Sequence, residues 1–116
     1  MTKIGFIGIG LMGAPMAKNL LKSKYQVKVF NRTKKKADKL KNYGAKVCNS
    51  LKEVVSDQDL IITMLTDDEA VEKVLSNEDF LNNLKKSSTV IDMSSTKPTI
   101  SIKYGNLLKN KGVNSE

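Results

Sequence analysis

Near its start the chain reads Gly8-Ile9-Gly10-Leu11-Met12-Gly13, a glycine-rich run with the spacing G-x-G-x-x-G. The run follows a short apolar segment and precedes a segment with apolar residues at helical spacing. In this context Gly8 permits a tight turn, Gly10 lets backbone approach a pyrophosphate, and Gly13 lets the helix lie close to the strand. Amide groups at the helix start would face the phosphates. We therefore predict a strand–turn–helix that binds a dinucleotide, the alternative being a purely structural glycine turn.

Outward from this run, strand-like and helical segments alternate along the whole chain. Strands are predicted at Lys3–Ile9, Gln26–Phe30, Ala45–Cys48, Leu60–Leu65 and Thr89–Met93, with another beginning at Val113. Helices are predicted at Gly13–Lys22, Thr33–Tyr43, Ser50–Val55, Asp67–Leu75, Asn77–Lys86 and Thr99–Lys109. Such alternation implies parallel strand pairing with right-handed crossovers. The expected fold is a Rossmann-like, doubly wound α/β sheet in a single domain over residues 1–116.

The composition limits the chemistry that the chain can perform. Its 116 residues suffice for one domain and include no histidine and one cysteine, Cys48. Without histidine, Ser-His and Cys-His nucleophile pairs and His-ligated zinc are excluded, and one cysteine forms no intramolecular disulfide. We predict no metal site, and we interpret Cys48 as a small, half-buried core residue and not as a nucleophile.

The apolar runs and the start of the chain do not resemble those of a membrane or secreted protein. No apolar run approaches the ~20 residues that span a bilayer, and the first residues lack the layout of a signal peptide. A single thiol fits a reducing compartment. We therefore expect a cytoplasmic protein, or one of another reducing compartment, with no membrane partner.

The charge balance is strongly basic, with a formal net charge of +8. It arises from nineteen lysines and one arginine, Arg32, against twelve acidic residues. A basic surface can attract nucleic acid, acidic membranes or phosphorylated ligands. Arginine, the preferred residue for bidentate phosphate contacts, is nearly absent. We favour a solvated surface in a lysine- and asparagine-rich chain, and we expect no nucleic-acid partner.

The residues after the second predicted strand bear on the choice of dinucleotide. NAD-binding sheets place Asp or Glu there to bind the ribose 2′-hydroxyl, whereas this chain has Asn31-Arg32-Thr33 followed by three lysines. Arg32 can stack on adenine and pair with a 2′-phosphate. Asn31 and Thr33 can donate hydrogen bonds. We predict NADP, with NAD less favoured; the alternative is that Arg32 is a solvated charge and Thr33 only caps a helix.

Two later strand ends carry further candidates. Apolar backbone at Met64-Leu65-Thr66 could lie along the nicotinamide ribose, or it could simply end a strand before a helix cap. The hydroxyls of Ser94-Ser95-Thr96 can bind a carboxylate or phosphate, or they can form a turn that caps the next helix. Asp92 is a candidate general acid–base, although an aspartate in this position more often holds a loop by hydrogen bonds.

Together these segments resemble the β-hydroxyacid dehydrogenase family. That family includes 3-hydroxyisobutyrate dehydrogenase, tartronate semialdehyde reductase and glyoxylate/succinic semialdehyde reductase, and it is related to 6-phosphogluconate dehydrogenase. The motifs that carry the resemblance are Ile4 to Gly13 with Met16-Ala17 and Asn19-Leu20, then Asn31-Arg32-Thr33, Thr63-Met64-Leu65 and Asp92 to Pro98. The resemblance covers essentially all 116 residues. It implies an NADP(H)-dependent oxidoreductase that interconverts a small β-hydroxyacid, a carboxylate substrate, and its aldehyde or keto acid.

The resemblance also implies a role for each matching position. The residues that would hold the pyrophosphate are Gly8, Gly10, Leu11, Met12 and Gly13. Those that would hold the adenosine 2′-phosphate are Asn31, Arg32, Thr33 and Lys36. Those that would line the nicotinamide side are Met64, Leu65 and Thr66, and the substrate carboxylate would meet the nicotinamide at Ser94 and Ser95. The family usually has threonine in place of Ser95, so the hydroxyl is kept and some packing is lost.

The chain departs from the family in what it lacks. Family members continue into a glycine-rich substrate loop and an all-helical second domain, which supplies a catalytic lysine and mediates oligomers. No lysine here matches that motif, so we predict no catalytic residue in these 116 residues and no activity for them alone. A homo-oligomer would form through the helical domain. The alternative is a non-catalytic module that binds NADP or docks on an acidic partner.

Overall fold

The computed structural model describes residues 2–94 and 97–115, and a parallel sheet of six strands lies at the centre of these residues. The strands are β1 (Lys3–Ile7), β2 (Gln26–Phe30), β3 (Lys46–Val47), β4 (Leu60–Thr63), β5 (Thr89–Asp92) and β6 (Asn114–Ser115). They lie in the order β3-β2-β1-β4-β5-β6, and each neighbouring pair is parallel. This is the strand order of a doubly wound dinucleotide-binding sheet, so the predicted Rossmann-like α/β fold is confirmed.

The helices cover both faces of the sheet. They are α1 (Gly13–Lys22), α2 (Lys34–Asp38), α3 (Leu51–Val55), α4 (Asp68–Leu75), α5 (Glu78–Asn82) and α6 (Pro98–Asn110), and a 3₁₀ helix (Lys39–Tyr43) continues α2. Right-handed crossovers toward β3 place α1 and α2 on one face, and crossovers in the opposite direction place α3 to α6 on the other. No helix of residues 2–94 and 97–115 is long and apolar enough to cross a membrane.

Two apolar cores result, one on each face of the sheet. Phe6 and Val29 pack with Ala17 and Leu40 beneath α1 and the 3₁₀ helix. On the other face a second cluster gathers around Phe80 and includes residues of α3, α4, α5 and α6. A strand between two such layers is buried on both sides, which explains the nearly continuous apolar run of β4.

Two predicted helices differ from the observed ones by more than one residue at an end. The helix predicted over Thr33–Tyr43 changes to a 3₁₀ helix after Asp38. At the end of this segment the Gly44 amide donates to the Lys41 carbonyl (3.0 Å), three residues back, and Gly44 has a φ of +98°. Hydrogen bonds to the third residue back tighten the last turns of a helix. The helix predicted over Asn77–Lys86 ends at Asn82. There the side-chain Nδ2 of Asn83 donates to the Asp79 carbonyl (2.8 Å), which occupies the acceptor that a continuing helix would use.

Candidate functional site

A cleft of about 270 Å³ opens at the carboxyl ends of β1, β2 and β4. It lies where the strand order reverses, which is the usual ligand position in an open α/β sheet. Of the residues proposed above from the sequence, the cleft is lined by Gly8, Gly10, Asn31, Arg32, Thr33, Lys36, Met64, Leu65 and Thr66. Residues from three separate strand ends therefore meet in one site.

The three glycines of the first loop occupy positions with different requirements. Gly8 has a φ of +101°, and a Cβ there would collide with the carbonyl oxygen of Met64. A Cβ on Gly13 would collide with the carbonyl oxygen of Gly8, so α1 begins against the end of β1. Beside Gly10, by contrast, nothing lies within 4 Å of a Cβ position. Its backbone is therefore open to the cleft, as the approach of a pyrophosphate requires.

The start of α1 presents free amide groups. Met12 occupies the cap position without a side-chain cap, and the first amide bonded back to the loop is that of Ala14, to the Gly10 carbonyl (3.0 Å). The preceding amides of Leu11, Met12 and Gly13 have no acceptor among the described residues. The side chains of Leu11 and Met12 are 94% and 68% exposed and do not line the cleft. These two residues can therefore hold an anion only through their backbone.

Asn31 connects the glycine loop to the end of β2. Its Oδ1 accepts from the Ile9 amide (2.8 Å), and its Nδ2 donates to the Thr33 carbonyl (2.9 Å). The Gly8 amide also donates to the Phe30 carbonyl (3.0 Å). One of the two N–H donors on Nδ2 remains for a ligand. The residue positions both loops at once, a role that sequence reasoning did not assign to it.

The cationic residues after β2 are exposed at the mouth of the cleft. Arg32, Thr33 and Lys36 are all exposed, and the Thr33 hydroxyl makes no capping bond to α2 although the residue occupies the cap position. Within residues 2–94 and 97–115, no side-chain hydrogen bond or salt bridge therefore occupies the three groups that could bind a phosphate. The described lining of the cleft includes Arg32, Lys36 and Lys73 and contains no carboxylate.

Helix α4 forms a second side of the cleft that sequence reasoning missed. Ala70, Lys73 and Val74 line the cleft from this helix. The Oδ1 of Asp67 caps the helix by accepting from the Ala70 amide (2.8 Å). These residues are three and four apart and so share one face of the helix. Which face of α4 turns to the cleft depends on how the helix packs across the sheet, and the sequence pattern alone does not show that.

Asp92 and Ser94 connect the ends of β4 and β5. The Asp92 Oδ1 accepts from the Thr63 hydroxyl (2.9 Å) and from the Ser94 amide (3.0 Å). The Ser94 Oγ accepts from the Leu65 amide (2.7 Å). Asp92 thus holds a loop by hydrogen bonds, which is the alternative given above to a role as general acid–base. Ser94 lies beside the cleft residue Leu65, and its hydroxyl donates to no acceptor among the described residues. The candidate Ser95 lies outside the described residues.

Cys48 lies in the core and away from the cleft. Its side chain is buried rather than half-buried. Burial, with the nearby Glu53 carboxylate, raises the pKa of the Cys48 thiol. A thiol in such a place stays protonated and inert, which agrees with the interpretation of Cys48 as a core residue.

Known proteins are similar to this chain in sequence and in fold. The chain matches the NAD-binding domain of 6-phosphogluconate dehydrogenase over residues 3–115. Glyoxylate/succinic semialdehyde reductase 1 of Arabidopsis thaliana is 37% identical over 111 residues, which are 95% of this chain and 38% of the relative. The solved 3-hydroxyisobutyrate dehydrogenase of Mycobacterium tuberculosis with L-serine has a TM-score of 0.92 at 31% identity, covering 99% of this chain and 39% of that one.

A further solved structure, Psf3 in complex with NADP+ and 2-OPP, has a TM-score of 0.91 at 27% identity and covers 97% of this chain and 40% of that one. The chain therefore spans about two fifths of the length of the proteins it matches. The matched region contains both the glycine loop and the cleft described above. By sequence, strand order and the position of its cleft, the chain belongs to the family of the NAD-binding domain of 6-phosphogluconate dehydrogenase.

Proposed function

We propose that this domain binds NADP(H) for an oxidoreductase that interconverts a small β-hydroxyacid and its aldehyde or keto acid. The observation that carries the proposal is the cleft, whose described lining combines glycines of the first loop with cationic side chains and contains no carboxylate. The free amides at the start of α1 follow directly on the lining residue Gly10. When bound, the nicotinamide supplies the hydride chemistry. The chain's own residues would bind and orient the dinucleotide.

Three groups of residues would each bind a different part of the dinucleotide. The amides of Leu11, Met12 and Gly13 lie unpaired, among the described residues, at the amino end of α1, where an anion is favoured by the helix dipole. Arg32 and Lys36 would neutralise the 2′-phosphate. Met64, Leu65 and Thr66 would line the nicotinamide side, and the Ser94 hydroxyl would donate to the substrate carboxylate together with Ser95.

The preference for NADP over NAD rests on residues of this chain. A carboxylate at the end of β2 would bind the ribose hydroxyls of NAD and repel a 2′-phosphate. Asn31 and Arg32 occupy that position instead, and the only arginine of the chain lies there. An arginine–phosphate pair is charge-assisted and contributes about 1.5–3 kcal/mol. The expected preference is therefore at least tenfold.

The substrate and the catalytic step belong to the whole protein. Because the chain spans about two fifths of its relatives, substrates of the glyoxylate, succinic semialdehyde or 3-hydroxyisobutyrate type are proposed for the parent protein. The residue that transfers a proton to the substrate oxygen would belong to a part of the parent protein beyond these 116 residues. We expect the 116 residues alone to bind the dinucleotide and to turn over no substrate.

A calorimetric titration with NADPH and, in parallel, with NADH tests the proposed function. NADPH should bind more tightly, and Arg32→Asp should remove most of that advantage, because the new carboxylate repels the 2′-phosphate and can bind the ribose hydroxyls of NADH. Lys103→Asp on α6, which reverses a charge outside the cleft, is the matched control. Equal or tighter binding of NADH by the native chain would contradict the NADP preference. Binding of neither dinucleotide would contradict the proposed role of this domain.

A further inference from the structure

Helix α4 brings a third cation to the cleft besides Arg32 and Lys36. Ala70, Lys73 and Val74, here called the α4 wall, face the cleft together. Val71 and Leu75 of the same helix are buried in the core, which fixes the rotation of the helix. Two members of the α4 wall are apolar, so they offer a flat surface to a planar base, and Lys73 is its one charged member.

Lys73 has a weak and exchangeable partner in the structure. Its Nζ lies 3.6 Å from the Oε1 of Glu69, one helical turn earlier, and the two side chains are 68% and 80% exposed. Exposed pairs of this spacing contribute about 0.3–0.5 kcal/mol. An anion of higher charge in the cleft can therefore displace the Glu69 carboxylate from Lys73.

The other acids of α4 have different positions. Asp67 caps the Ala70 amide, and the Asp68 Oδ1 accepts from the Lys97 amide (3.3 Å). Glu72 is exposed and does not line the cleft. Glu69 is thus the acid of this helix that competes with a ligand for Lys73.

We propose that Lys73 is a specificity-determining residue that pairs with the 2′-phosphate of NADP(H) from the α4 wall, and that Glu69 competes with the phosphate for the same ammonium group. Arg32, Thr33 and Lys36 would contact that phosphate from the opposite side of the cleft. A phosphate monoester carries about −1.5 to −2 at neutral pH, more than the single charge of Glu69. The inference rests on the proposed NADP function and adds a residue that acts on the phosphate alone.

The experiment is a double-mutant cycle on the 116-residue chain, read by calorimetric titration with NADPH and with NADH. Lys73→Met keeps the aliphatic stem and should weaken NADPH binding by roughly fivefold without changing NADH binding. Glu69→Gln should strengthen NADPH binding by about twofold, because the competing charge is removed. In the double variant the benefit of Glu69→Gln should disappear, since it acts through Lys73. Lys109→Met, on the exposed side of α6, is the control and should change neither affinity.

The outcomes separate this inference from the proposed function. If native binding favours NADPH and depends on Arg32, but Lys73→Met binds NADPH as the native chain does, the role of Lys73 is overturned and the function stands. Equal losses of NADPH and NADH affinity in Lys73→Met would place its contact on a part that both dinucleotides share, and would also overturn it. A native chain that binds neither dinucleotide would overturn both proposals together.

Discussion

The two halves of the sheet carry opposite charge and use their polar groups differently. Residues 1–48, which form β1 to β3 with α1 and α2, have twelve Lys and Arg against one acid, a formal net charge of +11. Residues 49–116 have eight Lys against eleven acids, a net charge of −3. A general enrichment in lysine would raise the charge of both halves. The division instead concentrates positive charge on the half that supplies most of the cleft.

The helix starts differ in the same way. In the second half, Ser50, Asp67 and Asn77 each cap a helix with a side-chain oxygen. In the first half, α1 and α2 have no side-chain cap. Three helices of the second half therefore begin with a side-chain cap, and α6 begins at Pro98 without one. The first half leaves amides and cations for an anionic ligand. The uncapped helix α1 and most of the cationic side chains of the cleft thus lie in the first half, and the second half adds Lys73 from the α4 wall.

The largest effect is expected at the glycine that joins β1 to the loop. Gly8→Ala adds a Cβ at a φ of +101° and against the Met64 carbonyl, so we expect a loss of roughly 2–4 kcal/mol in the free energy of unfolding. Urea denaturation measures it. Gly44→Ala is the control, because Gly44 has a φ of +98° but open space around it, and it should lose about 1 kcal/mol. Equal losses would show that the contact with Met64 adds nothing.

Substitution of Asn31 should lower both the stability and the dinucleotide affinity, whereas substitution of Asn83 in the second half should lower the stability alone. Asn31→Ala removes two hydrogen bonds between the loops, and we expect it to weaken NADPH and NADH binding alike by about tenfold, with a loss of about 1–2 kcal/mol in stability. Asn83→Ala removes one amide bond at the end of α5. It should lower stability and leave both affinities unchanged. Loss of NADPH affinity alone in Asn31→Ala would mean that the amide contacts the 2′-phosphate directly.

Asp92 connects two strand ends of the second half by hydrogen bonds, and its substitution should affect stability but not dinucleotide binding. Asp92→Ala removes the acceptor of the Thr63 hydroxyl and the Ser94 amide. Thermal or chemical unfolding should show a loss of about 1–2 kcal/mol, while calorimetry should give an NADPH affinity within about twofold of the native value. A large loss of affinity without a loss of stability would place Asp92 in the binding site.

The smallest effect is expected where charges of the two halves meet, at the amino end of β1. The hydrogen bond and the charge of Lys3 lower the pKa of Asp57, and the Lys3 amide with Lys85 lowers the pKa of Asp59. Because these pKa values are lowered in the folded chain, the two carboxylates stabilise the fold at pH values above the ordinary aspartate pKa, about 3.9. That contribution is lost as the pH falls through the pKa values of the folded chain. Asp57→Asn should therefore lower Tm slightly at pH 7, and the difference should shrink as the pH is lowered below about 3.9. Glu72→Gln, an exposed acid without a salt bridge among the described residues, is the control; a difference that grew at low pH would contradict the sign.

Much of this arrangement could be predicted from the sequence, because its signals are local. The glycine spacing, the helical periodicities and the apolar run of β4 predicted the fold, and Gly44 and Gly112 end their helices with positive φ as expected. Residues directly after strands were found for the same reason. Lys73 was missed because its place in the cleft depends on how α4 packs across the sheet. The hydrogen bond that Asn31 accepts from the Ile9 amide joins residues 22 apart in sequence, which no local pattern reveals.

The central claim is that the basic half, with the α4 wall, binds the dinucleotide, and amide chemical-shift mapping of the labelled chain with NADP+ tests it most directly. The account predicts the largest shifts at residues 8–14, 31–36 and 64–74, with small changes along α6 and β6. Saturable shifts confined to α6 and β6, or the absence of saturable shifts at any NADP+ concentration, would contradict it.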